Sequence, residues 1–349
     1  MKSSLVPALV TPFATPAATA QVRRDLRQAN QELASGRHAD LGLTLAGRSA
    51  VLMEQRSEEA LLEGLRSDIG ISEGRLKVAQ QSLAMITDGA QELLNNLAPL
   101  AAGQAPPEQV AAHAAGLLKE FTNAVNATSQ GAYVFGGINI AEVPLADYFA
   151  EPAPAARTAV EGAFTARFGV PPGDPAAASI SAADMADFLD NDFAALFASP
   201  QWETLFSSAT DEGMRAPIGM NETVEATSSA NNPAIRKLAM AYVMVAGLGI
   251  EALNAKARQE LVNRAMQDIG DGIALADGLR GEIGFRQERL ARASERLEAQ
   301  GDLLRQSIAD MEQVDLHAVA ARVNDLSVRL ETSYKLTARL QELTLLRFL

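Results

Sequence analysis

LEGLRSDIGISEGRLKVAQQSLAMITDGAQELLNNL, residues 62–97, decides the fold. Leu62, Leu65, Ile69, Ser72, Leu76, Ala79, Leu83, Ile86, Ala90, Leu93 and Leu97 step by three and four without a slip. On a helix such positions fall on one narrow stripe, the a/d seam of roughly five heptads. A period of 3.5 predicts left-handed supercoiling against a partner helix. A helix of about 50 residues spans roughly 75 Å. It cannot bury its stripe alone and requires an equally long partner.

That partner is found near the other end of the chain. Ile283, Leu290, Leu297, Leu304 and Met311 recur at intervals of seven, and Val319, Val323, Leu326 and Leu330 continue at four and three. The two halves meet only if both chain ends come together. Before the long seam, Val22, Leu26, Ala29 and Leu33 form a short one, ended by Ser35-Gly36. After it, Pro99 and the 103–107 stretch stop the helix, and a second helix over about 108–129 turns back. Gly131-Ala132-Tyr133-Val134-Phe135-Gly136-Gly137 closes this zone.

Residues 138–232 follow a different pattern. Prolines crowd here, at 144, 152, 154, 171, 172, 175, 200 and 217. Phe164, Ala166, Phe168 and Val170 alternate with period two, which predicts a half-buried strand. Met214–Ile218 and Glu222–Ala226 flank Gly219-Met220-Asn221, which predicts a hairpin. A short helix is expected over 181–197, carrying Met185, Phe188, Leu189, Phe193, Leu196 and Phe197. The expected fold class is mainly α, a long antiparallel coiled-coil rod built from both chain ends, with a small inserted α+β domain. The division expected is 1–45 with 315–349 as terminal assembly helices, 46–137 with 233–314 as the rod, and 138–232 as the insertion.

Composition narrows the function. Of 349 residues, 48% are apolar but only 5% aromatic, with one tryptophan, Trp202. Alanine and leucine carry the apolar content, which suits close helix packing. The net charge of −13, from 30 basic and 43 acidic side chains, repels nucleic acid and anionic lipid. Arg286, Glu288, Arg289, Arg292, Glu295, Arg296 and Glu298 read as a solvated face laced with ion pairs. With no cysteine, disulfides, thiolate metal sites and cysteine nucleophiles are excluded. No apolar run is long enough to span a membrane. Lys2, the LVPALV run and Ala18-Thr19-Ala20 loosely imitate a secretory signal, but Pro7, Pro12 and Pro16 interrupt it. The preferred reading is a mobile N-terminal tail without cleavage.

No catalytic, cofactor or metal site is expected. His38, His113 and His317 lie far apart and show no acidic or serine partner at meaningful spacing. Gly247-Leu248-Gly249 lacks the rest of a dinucleotide fingerprint and falls inside a helical pattern. Asp187, Asp190 and Asp192 lack the glycine and terminal glutamate of a calcium loop and read as a capped helix edge. Gly270, Gly272, Gly278, Gly281 and Gly284 each weaken a helix. They mark either a close helix approach, or hinge for subunit fit, or simply a weak helix.

The terminal segments speak most directly to function. Leu336, Leu340, Leu343, Leu345, Leu346, Phe348 and Leu349 crowd the last fourteen residues. An apolar end of this kind predicts order upon assembly. The expected assembly interface is Val22, Leu26, Leu33, Leu336, Leu340, Leu343, Leu346 and Phe348.

Leu33-Ala34-Ser35-Gly36, the stretch Ile308–Leu316, Ala320–Asn324 and the tail SYKLTARLQELTLLRFL (333–349) together resemble the bacterial flagellin family. The resemblance covers about 20–137 and 234–349, and the tail is its most specific part. The proline-rich first residues depart from the usual family start. Gly131–Gly137 is similar to a G-x-Y-x-F-x-G signature of the family's hook–filament junction members. The resemblance implies a structural subunit, not an enzyme, that needs no cofactor. It implies export through the flagellar type III pathway without a cleaved signal, and an extracellular place in the flagellum. The implied partners are copies of itself in a helical layer, an adjoining hook-associated protein, flagellin and an export chaperone. A filament-forming flagellin and a cytoplasmic coiled-coil adaptor are the alternatives.

Overall fold

A computed structural model describes residues 16–345, with side-chain surroundings for 17–339. The chain is mainly α, and its elements fall into two compact units. One, the terminal unit, takes residues up to Leu62 together with Ala299 onward; the other, the central unit, is Glu63–Glu298.

In the terminal unit, α1 (Pro16–Ser35) runs into Gly36, whose φ of +70° suits a residue without Cβ at a helix end. The short α2 (Leu41–Leu45) is capped by Asp40, whose side chain accepts from the Leu43 N–H at 2.9 Å. Helix α3 (Ser49–Ala101) begins here, and α10 (Ala255–Glu312) ends here. Leu45, Leu52 and Ile308 form a small buried cluster, with Leu41 and Met311 packed against it. Gln55 bonds Ser307 at 3.0 Å, and Arg305 lies 3.9 Å from Glu59, so the two helices run antiparallel. After a break at 313–315, Asp315 accepts from the His317 and Ala318 amides and starts α11 (Leu316–Leu345).

In the central unit the long seam lies where the heptads place it. Leu62 closes the preceding unit; from Ile69 to Leu97 every seam residue is buried, and Leu65 is half-buried. Gln80 Nε2 donates to the Arg280 carbonyl at 2.6 Å and Arg66 lies 3.4 Å from Glu298, again antiparallel. Ile283, Leu290 and Leu297 are buried on the facing helix. Helices α4 (Pro107–Val125) and α9 (Pro233–Gly247) pack together, with Phe121 and Tyr242 rings 5.2 Å apart.

The middle of the chain corrects one expectation. Residues 164–170 are not a strand: 164–168 are the end of α5 (Ala155–Phe168), Gly169, at φ +76°, ends it, and Val170 lies beyond it. Phe164 and Phe168 stand four residues apart, so the pair fits a helix as well as a strand. Ala156, Val160 and Phe164 are its buried face. Helix α6 (Ala182–Phe188) passes through a π-helical stretch, Leu189–Phe193, into α7 (Ala194–Leu196), and α8 (Gln201–Leu205) carries Trp202. The rings of Phe164, Phe188, Phe193, Phe197, Trp202 and Phe206 contact one another in sequence. The hairpin is present as β3 (Arg215–Pro217) and β4 (Thr223–Glu225), after a smaller one, β1 (Thr128–Ser129) and β2 (Ala132–Tyr133).

Two smaller expectations also change. Gly247-Leu248-Gly249 is not inside a helix: it ends α9, and at Gly249 (φ +64°) a Cβ would lie 2.2 Å from the Gly173 amide nitrogen. Residues 16–20 are helical rather than tail, and Thr19 is buried. The remainder of the tail, with Lys2, Pro7 and Pro12, lies outside the described residues.

Candidate assembly surface

The terminal helices pair with each other, antiparallel. Thr19 and Ser333 hydroxyls lie 2.9 Å apart, Arg23 sits 5.8 Å above the Tyr334 ring, and Arg322 lies 3.8 Å from the Glu32 carboxylate at the other end. On α11, Val319 and Leu326 are buried while Val323, Leu330 and Ser333 are half-buried, a four-three seam facing α1. On α1, Ala29 and Glu32 are buried and Val22 and Leu26 half-buried.

The eight expected interface residues therefore divide. Val22 and Leu26 lie partly within the α1–α11 pair. Leu33 is 37% and Leu336 49% exposed, with Val328 exposed on the same helix as Leu336. The side chains of Leu340 and Leu343 lie outside the described region, as do Leu346 and Phe348 altogether. Lys335 pairs with Glu331 at 2.7 Å and holds that exposed carboxyl below its ordinary value.

Spacing did not reveal the polar joint at the base of the pair. Glu312 is buried and takes Arg37 and Arg56 as partners; Glu32 is buried and accepts from the Ala39 amide at 3.3 Å. Glutamates within helical charge patterns carry no signal that separates them from solvated ones.

Gly131–Gly137 lies in the central unit and acts as a clasp. Val134 and Phe135 are buried. The Val134 carbonyl accepts from Ser228, the Phe135 carbonyl from Ala230, and the Gly136 carbonyl from Thr210. A Cβ on Gly137 (φ +67°) would fall 2.3 Å from the Thr210 carbonyl oxygen. This segment ties the end of the N-terminal helical zone to the return of the chain at 227–231.

The other constellations have structural partners. Asp187 and Asp192 face Arg167, and Asp190 lies 2.8 Å from Arg264. His113 does have an acidic neighbour, Glu92 at 2.8 Å, but both side chains are about half exposed on the surface of α3 and α4. Of the glycines in α10, Gly272 makes the close approach: a Cβ there would lie 2.6 Å from Leu238 on α9. At Gly270, Gly278 and Gly281 nothing lies within 4 Å. Among the described residues no group of three His, Asp or Glu side chains could hold a metal, and no helix is long and apolar enough to cross a membrane.

The two regions that form this surface are the ones that match known families. Residues 10–140 match the bacterial flagellin N-terminal helical region, and residues 266–349 match the bacterial flagellin C-terminal helical region. The chain belongs to the bacterial flagellin family. It is a flagellar structural subunit, and the flagellin family is a structural one. No curated protein matches this flagellin-family chain in sequence. Its fold is similar to that of a chain assigned as a flagellar hook-associated protein from Vibrio parahaemolyticus. That likeness has a TM-score of 0.51 at 10% identity and covers 76% of this chain and 97% of that one. FlgL from Bacillus cereus gives a TM-score of 0.46 at 13% identity, covering 74% of this chain and 99% of that one, a score too low to bear on the fold.

Proposed function

We propose that this chain is the flagellar subunit that joins the hook-associated layer to the flagellin filament. The observation that carries this reading is the terminal pair itself. Both family-matched ends come together in α1 and α11, yet Leu33, Val328 and Leu336 remain open to solvent. Such apolar surface is an assembly surface for neighbours of similar make. The interface comprises Val22, Leu26, Leu33, Leu336, Leu340, Leu343, Leu346 and Phe348, within terminal segments 1–45 and 315–349. Residues 46–137 with 233–314 form the rod and 138–232 the outer part.

A head-to-tail contact repeated with a rotation builds a helical layer rather than a closed dimer. One side of that layer meets an adjoining hook-associated protein and the other meets flagellin. The chain leaves the cell through the flagellar export pathway without a cleaved signal, its terminal segment held beforehand by a chaperone. It acts by packing, not by catalysis. The junction role is supported by the Gly131–Gly137 signature and by the fold shared with the Vibrio chain.

Electron microscopy of a deletion strain tests this: hooks without filaments, and flagellin shed into the medium, are expected. Normal filaments on that strain would overturn it. A second reading, a filament-forming flagellin, is favoured by the family matches themselves, since both name flagellin. Long filaments grown from seeded, purified chain would select it.

A further inference from the structure

Glu312 is the last residue of α10 and its side chain is 3% exposed. Its carboxylate accepts from Arg56 Nε, on α3, at 2.9 Å and lies 3.1 Å from Arg37 Nη1, just beyond the end of α1. Those arginines are 41% and 66% exposed, so two surface cations cover one buried anion. The main chain closes the same place. The His38 N–H donates to the Glu312 carbonyl at 2.9 Å, and the Val314 N–H donates to the Gly36 carbonyl at 3.1 Å. Arg37 and Gln313 pair as an antiparallel bridge.

Two chain breaks, 36–40 and 313–315, are thus sewn into one joint. Each break alone would let its helix swing, because few residues there are held by regular helical bonds. Sewn together, they move as one. A carboxylate taken from water needs the partners it has here, and removing them leaves it uncompensated.

We infer that Glu312 is a positioning residue that fixes the angle at which the α1–α11 pair leaves residues 49–62 and 299–312 of the same unit. A fixed angle pre-organises the pair for a repeating contact. Its importance for assembly rests on the junction reading above; the joint itself is a property of the free chain.

The absence of cysteine makes the test clean. Leu303 and Val328 are 73% and 62% exposed. Leu303→Cys and Val328→Cys, nitroxide-labelled in the full chain, report the distance from α10 to α11 by pulsed electron paramagnetic resonance. The otherwise unchanged chain should give one narrow distribution. Glu312→Gln should broaden it by about twofold or more while helicity by circular dichroism stays the same. Arg56→Lys, which keeps the charge but loses the fork, should lie in between. A distribution in Glu312→Gln as narrow as that of the unchanged chain overturns the inference. Should Glu312→Gln lose helicity, Arg37→Ala carries the test: broadening supports the joint and unchanged width overturns it. The measurement uses unassembled chain, so a failure of the junction reading in the deletion strain leaves its outcome unaffected.

Discussion

Thr19 Oγ1 and Ser333 Oγ lie 2.9 Å apart, although 314 residues separate them. Neither end of the chain forms its helix pair without the other. Among its described side chains, α1 buries only Thr19, Ala29 and Glu32, and most helical stability in proteins comes from tertiary packing rather than from propensity. Its order is borrowed from α11.

Leu326→Asp should therefore disorder both helices, not one. Leu326 is 8% exposed on the face of α11 that meets α1. Losing that burial and introducing a charge costs about 2–4 kcal/mol. Hydrogen exchange of residues 16–35 should rise with that of 316–339, while α4 and α9 keep their protection. Unaltered exchange in α1 would show that it stands alone.

The long seam was legible because one rule decides it. A residue at a or d faces the partner helix, and Ile69, Leu76, Leu83 and Leu93 are indeed fully buried. The segment around Phe164 was misread because Phe164 and Phe168 satisfy two periods at once, and only packing against Phe188 chooses between them. Glu312 was illegible for another reason. Its partner Arg56 is 256 residues away, and no local pattern distinguishes a glutamate that will meet it from one that meets water.

Gly137 ends the Gly131–Gly137 segment, and the structure gives its identity a physical reason. A Cβ there meets the Thr210 carbonyl oxygen at 2.3 Å, and φ is +67°. Gly137→Ala should destabilise the central unit by about 2–4 kcal/mol, from strain and a backbone clash that no side-chain shift relieves. Urea unfolding checks this. A midpoint equal to that of the unchanged chain would mean that the 208–211 loop yields freely.

Trp202 is fully buried, stacks on Phe206 at 5.0 Å, and donates its indole N–H to Asn231 Oδ1 at 3.0 Å. As the single tryptophan it reports on the central unit alone. Its emission should be blue-shifted in the folded chain and move to the red on unfolding. Trp202→Ala should cost about 3–5 kcal/mol, while Asn231→Ala should cost less but shift the emission, because the indole loses its acceptor. An emission maximum unmoved in Asn231→Ala would argue against that bond.

Asp268 has no exposed surface on α10 and depends on Lys237 of α9 at 2.7 Å, with Arg264 further off at 3.4 Å. Lys237→Met should leave a buried carboxylate under-compensated and cost about 3–5 kcal/mol. Adding Asp268→Leu should recover much of that loss, since an apolar pair of similar volume needs no compensation. Double-mutant analysis by urea unfolding measures the coupling, and additive effects would count against it.

Alkaline pH should weaken the central unit through its buried tyrosines. Burial pushes the Tyr148 and Tyr242 hydroxyls well above the ordinary phenol value of 10.0, with nearby Glu161 acting on Tyr148 and Glu92 and Glu120 acting on Tyr242 in the same direction. The folded state keeps those protons after the unfolded chain has released them. Stability is therefore level below pH 10.0 and falls as pH rises above it, towards the folded-state values. Phenolate absorbance should show two late-titrating tyrosines, which Tyr148→Phe and Tyr242→Phe remove one by one. The Tyr148→Phe chain should also lose less stability above that pH, because phenylalanine has no proton to release; removing the hydroxyl costs little at neutral pH, since Tyr148 Oη is buried without a hydrogen-bond partner. An alkaline stability curve unchanged in both variants would place the origin of the loss elsewhere.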